Sequence, residues 1–182
     1  MHPWHDLSPG NELPNCVQAI IEIPRGSKAK YEIDKPSGFL KLDRVLTTAL
    51  HYPINYGFIP QTYAGDHDPL DILVFSQIDL PPLTLVNAKI IGVMRMLDKE
   101  EMDDKIIAVA STDIAVNHIE NLDQFPEFIL NEIRRFFEDY KKQGNLNPVV
   151  IPQILLGKSE AVAIIEEALN EYQKLFLNGK RI

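Results

Sequence analysis

Apolar and polar residues alternate along the first third of the chain. Val17, Ala19, Ile21 and Ile23 fall on one side of an extended segment and Glu22 on the other, because strand side chains alternate with a period of two. A turn over Pro24–Ser27 leads to a second strand, Ala29–Ile33, with Lys30 and Glu32 on one side and Tyr31 and Ile33 on the other. These two strands read as a hairpin whose charges, taken singly, make a solvated face. Past the Pro36–Gly38 turn, Leu40, Leu42 and Arg44 share one face of a third strand. His51–Pro60 is too broken by Pro and Gly to be a long helix. Ile72–Phe75 has the apolar run of a buried strand, Asp79–Pro82 reads as a loop, Ala88–Leu97 is the longest strand candidate, and Ile106–Val109 resumes a strand. The period then changes to that of a helix. Asp123 is the expected cap of the first, with Phe125, Ile129, Ile133, Phe136, Phe137 and Tyr140 on one side and Gly144 at its end. Pro148 and Pro152 bound a loop. Ser159 is the expected cap of the second, with Ala161, Ile164, Ile165, Ala168, Leu169, Tyr172 and Phe176 inward. Residues 1–15, with Pro, Asn and Gly among them, read as an irregular arm. Strands first and helices last argue for a mainly β chain with helices, either α+β or a β-barrel with appended helices, rather than alternating βαβ units.

The length of 182 residues suits one domain, 1–182, with a sizeable core, and no repeat or linker divides it. A net charge of −8 argues against nucleic-acid and anionic-membrane partners, which want a basic face. Cys16 is the one cysteine, so an internal disulfide is excluded and a buried structural thiol is expected. No apolar run approaches the ~18 residues of a membrane span, and the first residues lack the pattern of a signal peptide. The expected compartment is the cytoplasm.

The chemistry concentrates in Gly65-Asp66-His67-Asp68-Pro69-Leu70-Asp71, just ahead of the Ile72–Phe75 run. Asp66 and Asp68 would point to the same side of an extended segment. Like charges this close are costly unless a cation lies among them, and hard divalent ions bound by oxygen are the natural choice. A second acidic cluster, Asp98–Lys105, stands as a loop between two strands. The EF-hand template fails here: started at Asp66, its fifth, sixth and twelfth positions fall on Leu70, Asp71 and Gln77. Carboxylates joined by Lys30, Arg44, Lys105, Lys141, Tyr56 and Tyr140 suggest a metal-bound phosphate instead, since Mg²⁺ is held by a few carboxylates plus substrate oxygens while Lys and Arg take the rest. A metal-dependent phosphomonoesterase or nuclease stays open on these residues. A non-catalytic OB-fold binding module would want a basic groove with stacking aromatics.

Asp66-x-Asp68-Pro69-Leu70-Asp71 followed by an apolar run resembles the signature of the soluble family I inorganic pyrophosphatases. The resemblance extends over Glu22-Ile23-Pro24-Arg25-Gly26-Ser27-x-x-Lys30-Tyr31-Glu32, Leu42-Asp43-Arg44, Tyr52-Pro53-x-Asn55-Tyr56-Gly57-Phe58-Ile59-Pro60 and Phe137-x-x-Tyr140-Lys141. It implies a five-stranded OB-like barrel with the two C-terminal helices packed outside, and Mg²⁺-dependent hydrolysis of pyrophosphate to two phosphates. Position by position, it implies that Asp66, Asp71 and Asp103 bind the activating Mg²⁺, that Asp98 serves the same set, and that Glu22 serves further ions arriving with substrate. Lys30, Arg44, Lys105, Tyr140 and Lys141 would hold phosphate oxygens, Tyr56 would lie beside metal and substrate, and Asp68 would be the base. It also implies self-association, as a homohexamer. The segment Gly144–Pro152 carries no Lys or Arg, where bacterial relatives often place basic residues near the rim of the site.

Overall fold

The protein's structure, a computed structural model, describes residues 1–47, 49–98, 101–142 and 154–177, with the backbone alone at 97, 98, 101, 141 and 142. The first alternating segment forms β1, Cys16–Ile23. It is buried on both sides from Ala19 onward, so Glu22 is only 7% exposed and not part of a solvated face. The broken aromatic segment yields β4, Asn55–Phe58, and the run after the aspartates yields β5, Asp71–Phe75. The two long strands are β6, Leu85–Asp98, and β7, Glu101–Ala110. β1 pairs with β4, β4 with β5, β5 with β7, β7 with β6, and β6 returns to β1 from Cys16↔Lys89 to Ile20↔Leu85. Five strands thus close a ring, as the expected barrel requires. The β5–β7 pairing is parallel and the others are antiparallel.

The close approach of β1 to β4 needs a glycine. A Cβ on Gly57 would stand 1.9 Å from the carbonyl oxygen of Ile20, so any larger residue would push the strands apart.

Two sequence expectations about strands are corrected. The first two strands do not form a hairpin. β2, Ala29–Ile33, pairs with β3, Leu40–Val45, as a separate two-stranded sheet, because both edges of β1 are taken by β4 and β6. The acidic loop expected over 98–105 is shorter, since β7 already begins at Glu101; Asp103 and Lys105 are strand residues. A short strand, β8 (Ile154–Leu156), escaped the periodicity because three residues carry too little pattern; it pairs with β6.

The helices are α1, Glu127–Lys142, and α2, Lys158–Tyr172. Neither expected cap holds. Asp123 lies in a separate 3₁₀ turn, Leu122–Gln124, with Asn121 at its start, and α1 follows Pro126, whose missing N–H suits a helix entrance. Gly157 is the cap of α2, and the Ser159 hydroxyl donates to Glu160 instead. Phe176 lies past α2 in a π-helical turn, Gln173–Leu177, and is 41% exposed rather than inward. Gly144 and the 148–152 loop fall outside the described residues.

Each helix covers one side of the ring. Ala161, Ile165 and Ala168 of α2 pack with Val17, Ala19, Ile21, Ile72 and Val74. Ile129, Ile133, Phe136 and Phe137 of α1 pack with Ile23, Leu73, Met94, Ile107 and Val109. Apolar burial of this kind contributes about 25 cal/mol per Å² and holds both helices to the strands. The N-terminal arm is anchored as well: Trp4 is buried, and its indole N–H donates to the carbonyl of Thr62 at 2.8 Å. Cys16, expected to be buried, is half-buried at the start of β1.

Candidate active site

Strand alternation builds the centre of the site. Leu73 of β5 belongs to the α1-facing core, so Asp71, two residues earlier, points the same way at the strand's end. Tyr56 is the partner of Leu73 across the β4–β5 pairing, and Lys105 is the partner of Asp71 across β5–β7. Asp103 lies two residues before Lys105 on the same side. Four polar groups thereby continue an apolar face and share one pocket.

Their contacts are direct. Lys105, 4% exposed, donates to Asp71 Oδ2 at 2.6 Å and to Asp103 Oδ1 at 2.8 Å. The Tyr56 hydroxyl donates to Asp71 Oδ2. The rings of Phe137 and Tyr56 lie 5.2 and 5.5 Å from the Lys105 ammonium, within cation–π range. Burial opposes the charge of Lys105, but Asp71 and Asp103 outweigh it and raise its pKa. Burial raises Asp71 against the pull of Lys105.

The remaining acids enclose this pair. Glu22 reaches the cleft from β1 and accepts the backbone N–H of Ile33 at 2.7 Å, which ties it to β2. Burial, and then the charge of Asp71, push its carboxyl up to about 8. Asp66 is raised for the same two reasons. Its Oδ1 accepts the N–H of Asp68 at 3.2 Å.

The cations come from the β2–β3 sheet. Lys30 and Arg44 are register partners there, and both contact Asp43, at 3.1 and 2.9 Å. Arg44 lies 5.5 Å over the ring of Tyr140 from α1. One cleft of about 650 Å³ is lined by Glu22, Lys30, Arg44, Tyr56, Asp66, Asp68, Asp71, Asp103, Lys105 and Tyr140. Ten positions singled out in the sequence therefore meet in one place. The side chains of Asp98 and Lys141 lie outside what the structure describes.

Sequence reasoning passed over other lining residues. Tyr52 hydrogen-bonds Tyr140 and lies in the aromatic segment already noted. Trp4, from the arm, carries no periodic signal. Lys35, in the turn after β2, reads as an ordinary solvated lysine.

The donor set suits a hard divalent cation. Carboxylates from Glu22, Asp66, Asp71 and Asp103 share the cleft with Lys105, and three of them, Glu22, Asp66 and Asp71, are raised in pKa, by burial first and then, for Glu22 and Asp66, by the charge of Asp71. That is a shortage of positive charge in an oxygen-only site. Among the described residues no three acids already converge as a closed metal cage, because Lys105 bridges Asp71 and Asp103.

A family model described as inorganic pyrophosphatase matches residues 19–173. The chain belongs to the inorganic pyrophosphatase family. A soluble inorganic pyrophosphatase 2 of Chlamydomonas reinhardtii is 49% identical over 179 residues, covering 98% of this chain and 92% of the relative. The soluble inorganic pyrophosphatase PPA1 of Solanum tuberosum is 46% identical over 180 residues, covering 99% and 84%. The crystal structure of the inorganic pyrophosphatase from Thermus thermophilus superposes with a TM-score of 0.88 at 37% identity, covering 94% of this chain and 99% of that one. Membership in the pyrophosphatase family makes the chain an enzyme, a hydrolase, and implies a divalent metal, which the acid excess of the cleft fits. Among the described residues no helix is long and apolar enough to cross a membrane.

Proposed function

We propose that this protein hydrolyses inorganic pyrophosphate to two orthophosphates in a Mg²⁺-dependent reaction, with Asp68 as the base. The observation that carries this is the meeting of Asp71, Lys105 and Asp103 on adjacent strands, in one cleft with Lys30 and Arg44. Asp66, Asp71 and Asp103 are the residues that would hold the first Mg²⁺, with Asp98 in the same set and Glu22 for further ions. When bound, Mg²⁺ supplies the positive charge this cleft lacks and acidifies the attacking water.

The protein's own groups do the rest. Lys30, Arg44, Lys105, Tyr140 and Lys141 bind phosphate oxygens, and charged donors make the stronger hydrogen bonds. Tyr56 orients Asp71 through its hydroxyl. Asp68 takes the proton of the attacking water, as a general base positioned at hydrogen-bond distance would. We take residues 1–182 as one catalytic domain, working in the cytoplasm and assembled as a homohexamer with no nucleic-acid or membrane partner.

Phosphate release from pyrophosphate, nucleotides and sugar phosphates, compared under Mg²⁺, tests the reading. Pyrophosphate is expected to be turned over far faster than the others. Equal turnover of organic phosphates would point to a phosphomonoesterase, and no release at all to a binding module. Sedimentation is expected to give a multiple of the 20.7 kDa chain mass; the monomer mass would remove the hexamer.

A further inference from the structure

We propose that Lys35 is a positioning residue for Asp68, an inference that rests on Asp68 being the base. The Lys35 ammonium lies 2.5 Å from Asp68 Oδ1 and donates to the carbonyl oxygen of His67 at 3.0 Å. One side chain thus grips both the carboxylate and the peptide that precedes it. Lys35 belongs to the turn after β2, on the wall of the cleft that also carries Lys30, whereas Asp68 belongs to the loop ahead of β5.

The loop around Asp68 has a fixed backbone. His67 is left-handed, with φ of 66°, a conformation few residues with a Cβ adopt. Its Nδ1 is 2.7 Å from the Tyr63 hydroxyl, and the Asp68 carbonyl accepts the N–H of Ala64 at 2.8 Å. None of these contacts orients the Asp68 carboxylate itself. The bond to Lys35 does.

Lys35 is held in turn. The His2 ring donates from Nε2 to the Lys35 carbonyl at 2.9 Å, while its Nδ1 accepts the N–H of Trp4 at 3.2 Å; one nitrogen donates and the other accepts, as in a neutral imidazole. Gly38, at φ 70°, lets the ring come close: a Cβ there would stand 2.8 Å from His2 Cδ2. The arm that brings His2 to this turn is anchored by buried Trp4.

Stability does not explain the contact. The side chains of Lys35 and Asp68 are 48% and 49% exposed, and an ion pair so open to water contributes little to folding. What it supplies is direction, which matters for a group that must meet a water at hydrogen-bond distance.

Steady-state hydrolysis of pyrophosphate at saturating divalent metal tests this with Lys35→Gln, Lys35→Arg, Asp68→Asn and the double variant Lys35→Gln/Asp68→Asn. Lys35→Gln is expected to lower kcat on the order of tenfold, less than the ~10²-fold of a 1 Å misplacement, with KM within about twofold of the parent. Lys35→Arg should recover most of the loss. In the Asp68→Asn background the Lys35→Gln effect should vanish, because it acts through that carboxylate. An undiminished kcat in Lys35→Gln, with Asp68→Asn impaired, would overturn the role of Lys35 and leave the base in place. A raised KM at unchanged kcat would make Lys35 a substrate contact, and equal losses in both backgrounds would place its action elsewhere; either overturns the proposal. A near-parental kcat in Asp68→Asn would remove the base itself, and Lys35's role with it.

Discussion

Asp71 and Lys105 face each other across the parallel pairing of β5 with β7, carboxylate to ammonium at 2.6 Å. The same ammonium reaches Asp103 at 2.8 Å, so one buried lysine compensates two carboxylates. Repulsion between these acids is therefore already relieved in part by the chain itself. Burial and the charge of Asp71 still raise the pKa of Glu22 and Asp66.

Replacing Lys105 should reveal that balance. Lys105→Met takes the buried ammonium away from two half-buried carboxylates, and breaking a pair from one side costs up to about 3–5 kcal/mol when it is fully buried, so a smaller loss is expected here. The urea midpoint measured with a chelator present should fall accordingly, and added Mg²⁺ should restore part of it. An unchanged midpoint in chelator would show that Lys105 carries no such load.

Asp71 and Asp68 should separate into ligand and base. Asp71→Asn is expected to weaken Mg²⁺ binding in calorimetry and to remove most activity. Asp68→Asn should lower kcat by roughly 10²–10⁴, the usual worth of general base catalysis, with a much smaller loss of metal affinity. Metal loss in Asp68→Asn, with near-normal kcat once metal is saturating, would exchange the two roles.

Arg44 should not tolerate lysine. Its guanidinium lies over the Tyr140 ring at 5.5 Å, and a planar fork can bind two phosphate oxygens at once, which an ammonium cannot. Arg44→Lys should reduce kcat/KM by a factor equivalent to about 1.5–3 kcal/mol. Equal kcat/KM in the two proteins would mean that the fork is not used.

Asp113 offers a pH test away from the cleft. Gln77 donates to it from its backbone N–H and its side chain, and Ser76 from its hydroxyl, which together pull the carboxyl from 3.8 down to about 2. A pKa lower in the folded than in the unfolded chain means stability that is fully present above 3.8 and lost as pH falls toward about 2. Denaturant midpoints of the parent and Asp113→Asn should therefore differ near neutrality and converge through that acidic window. A gap that persists unchanged in acid would show that the ionised carboxylate is not what stabilises this turn.

How much of the site was legible depended on how far each signal reaches along the chain. Asp66, Asp68 and Asp71 lie within six residues, so their clustering was visible without a fold. Lys30, Arg44 and Tyr140 come from separate elements, so the sequence could group them with the aspartates by residue type alone, and the part each plays came from the resemblance. The bland reading of Glu22 as a solvated strand residue failed because nothing local reports that both sides of β1 are covered. Lys35 had no signal at all: a lysine after a strand is ordinary until the chain folds its ammonium onto Asp68.

By itself the sequence determined both helices and most of the strands, though not β8 or the start of β7, through a period of two that gives way to one near 3.6, and it determined the acidic motif with its implied chemistry. Those are properties of neighbouring residues, set by backbone geometry and local charge. Tertiary structure alone decided which strand edges pair. β2, half-buried, and β3, exposed along most of its length, could have joined β1, but β4 and β6 occupy both its edges and close the ring. It also decided that Asp103 and Lys105 extend a strand beside Asp71, and that the N-terminal arm reaches the turn holding Lys35. Edge pairing and burial depend on competition among segments distant in the chain, and no local pattern encodes the outcome of that competition.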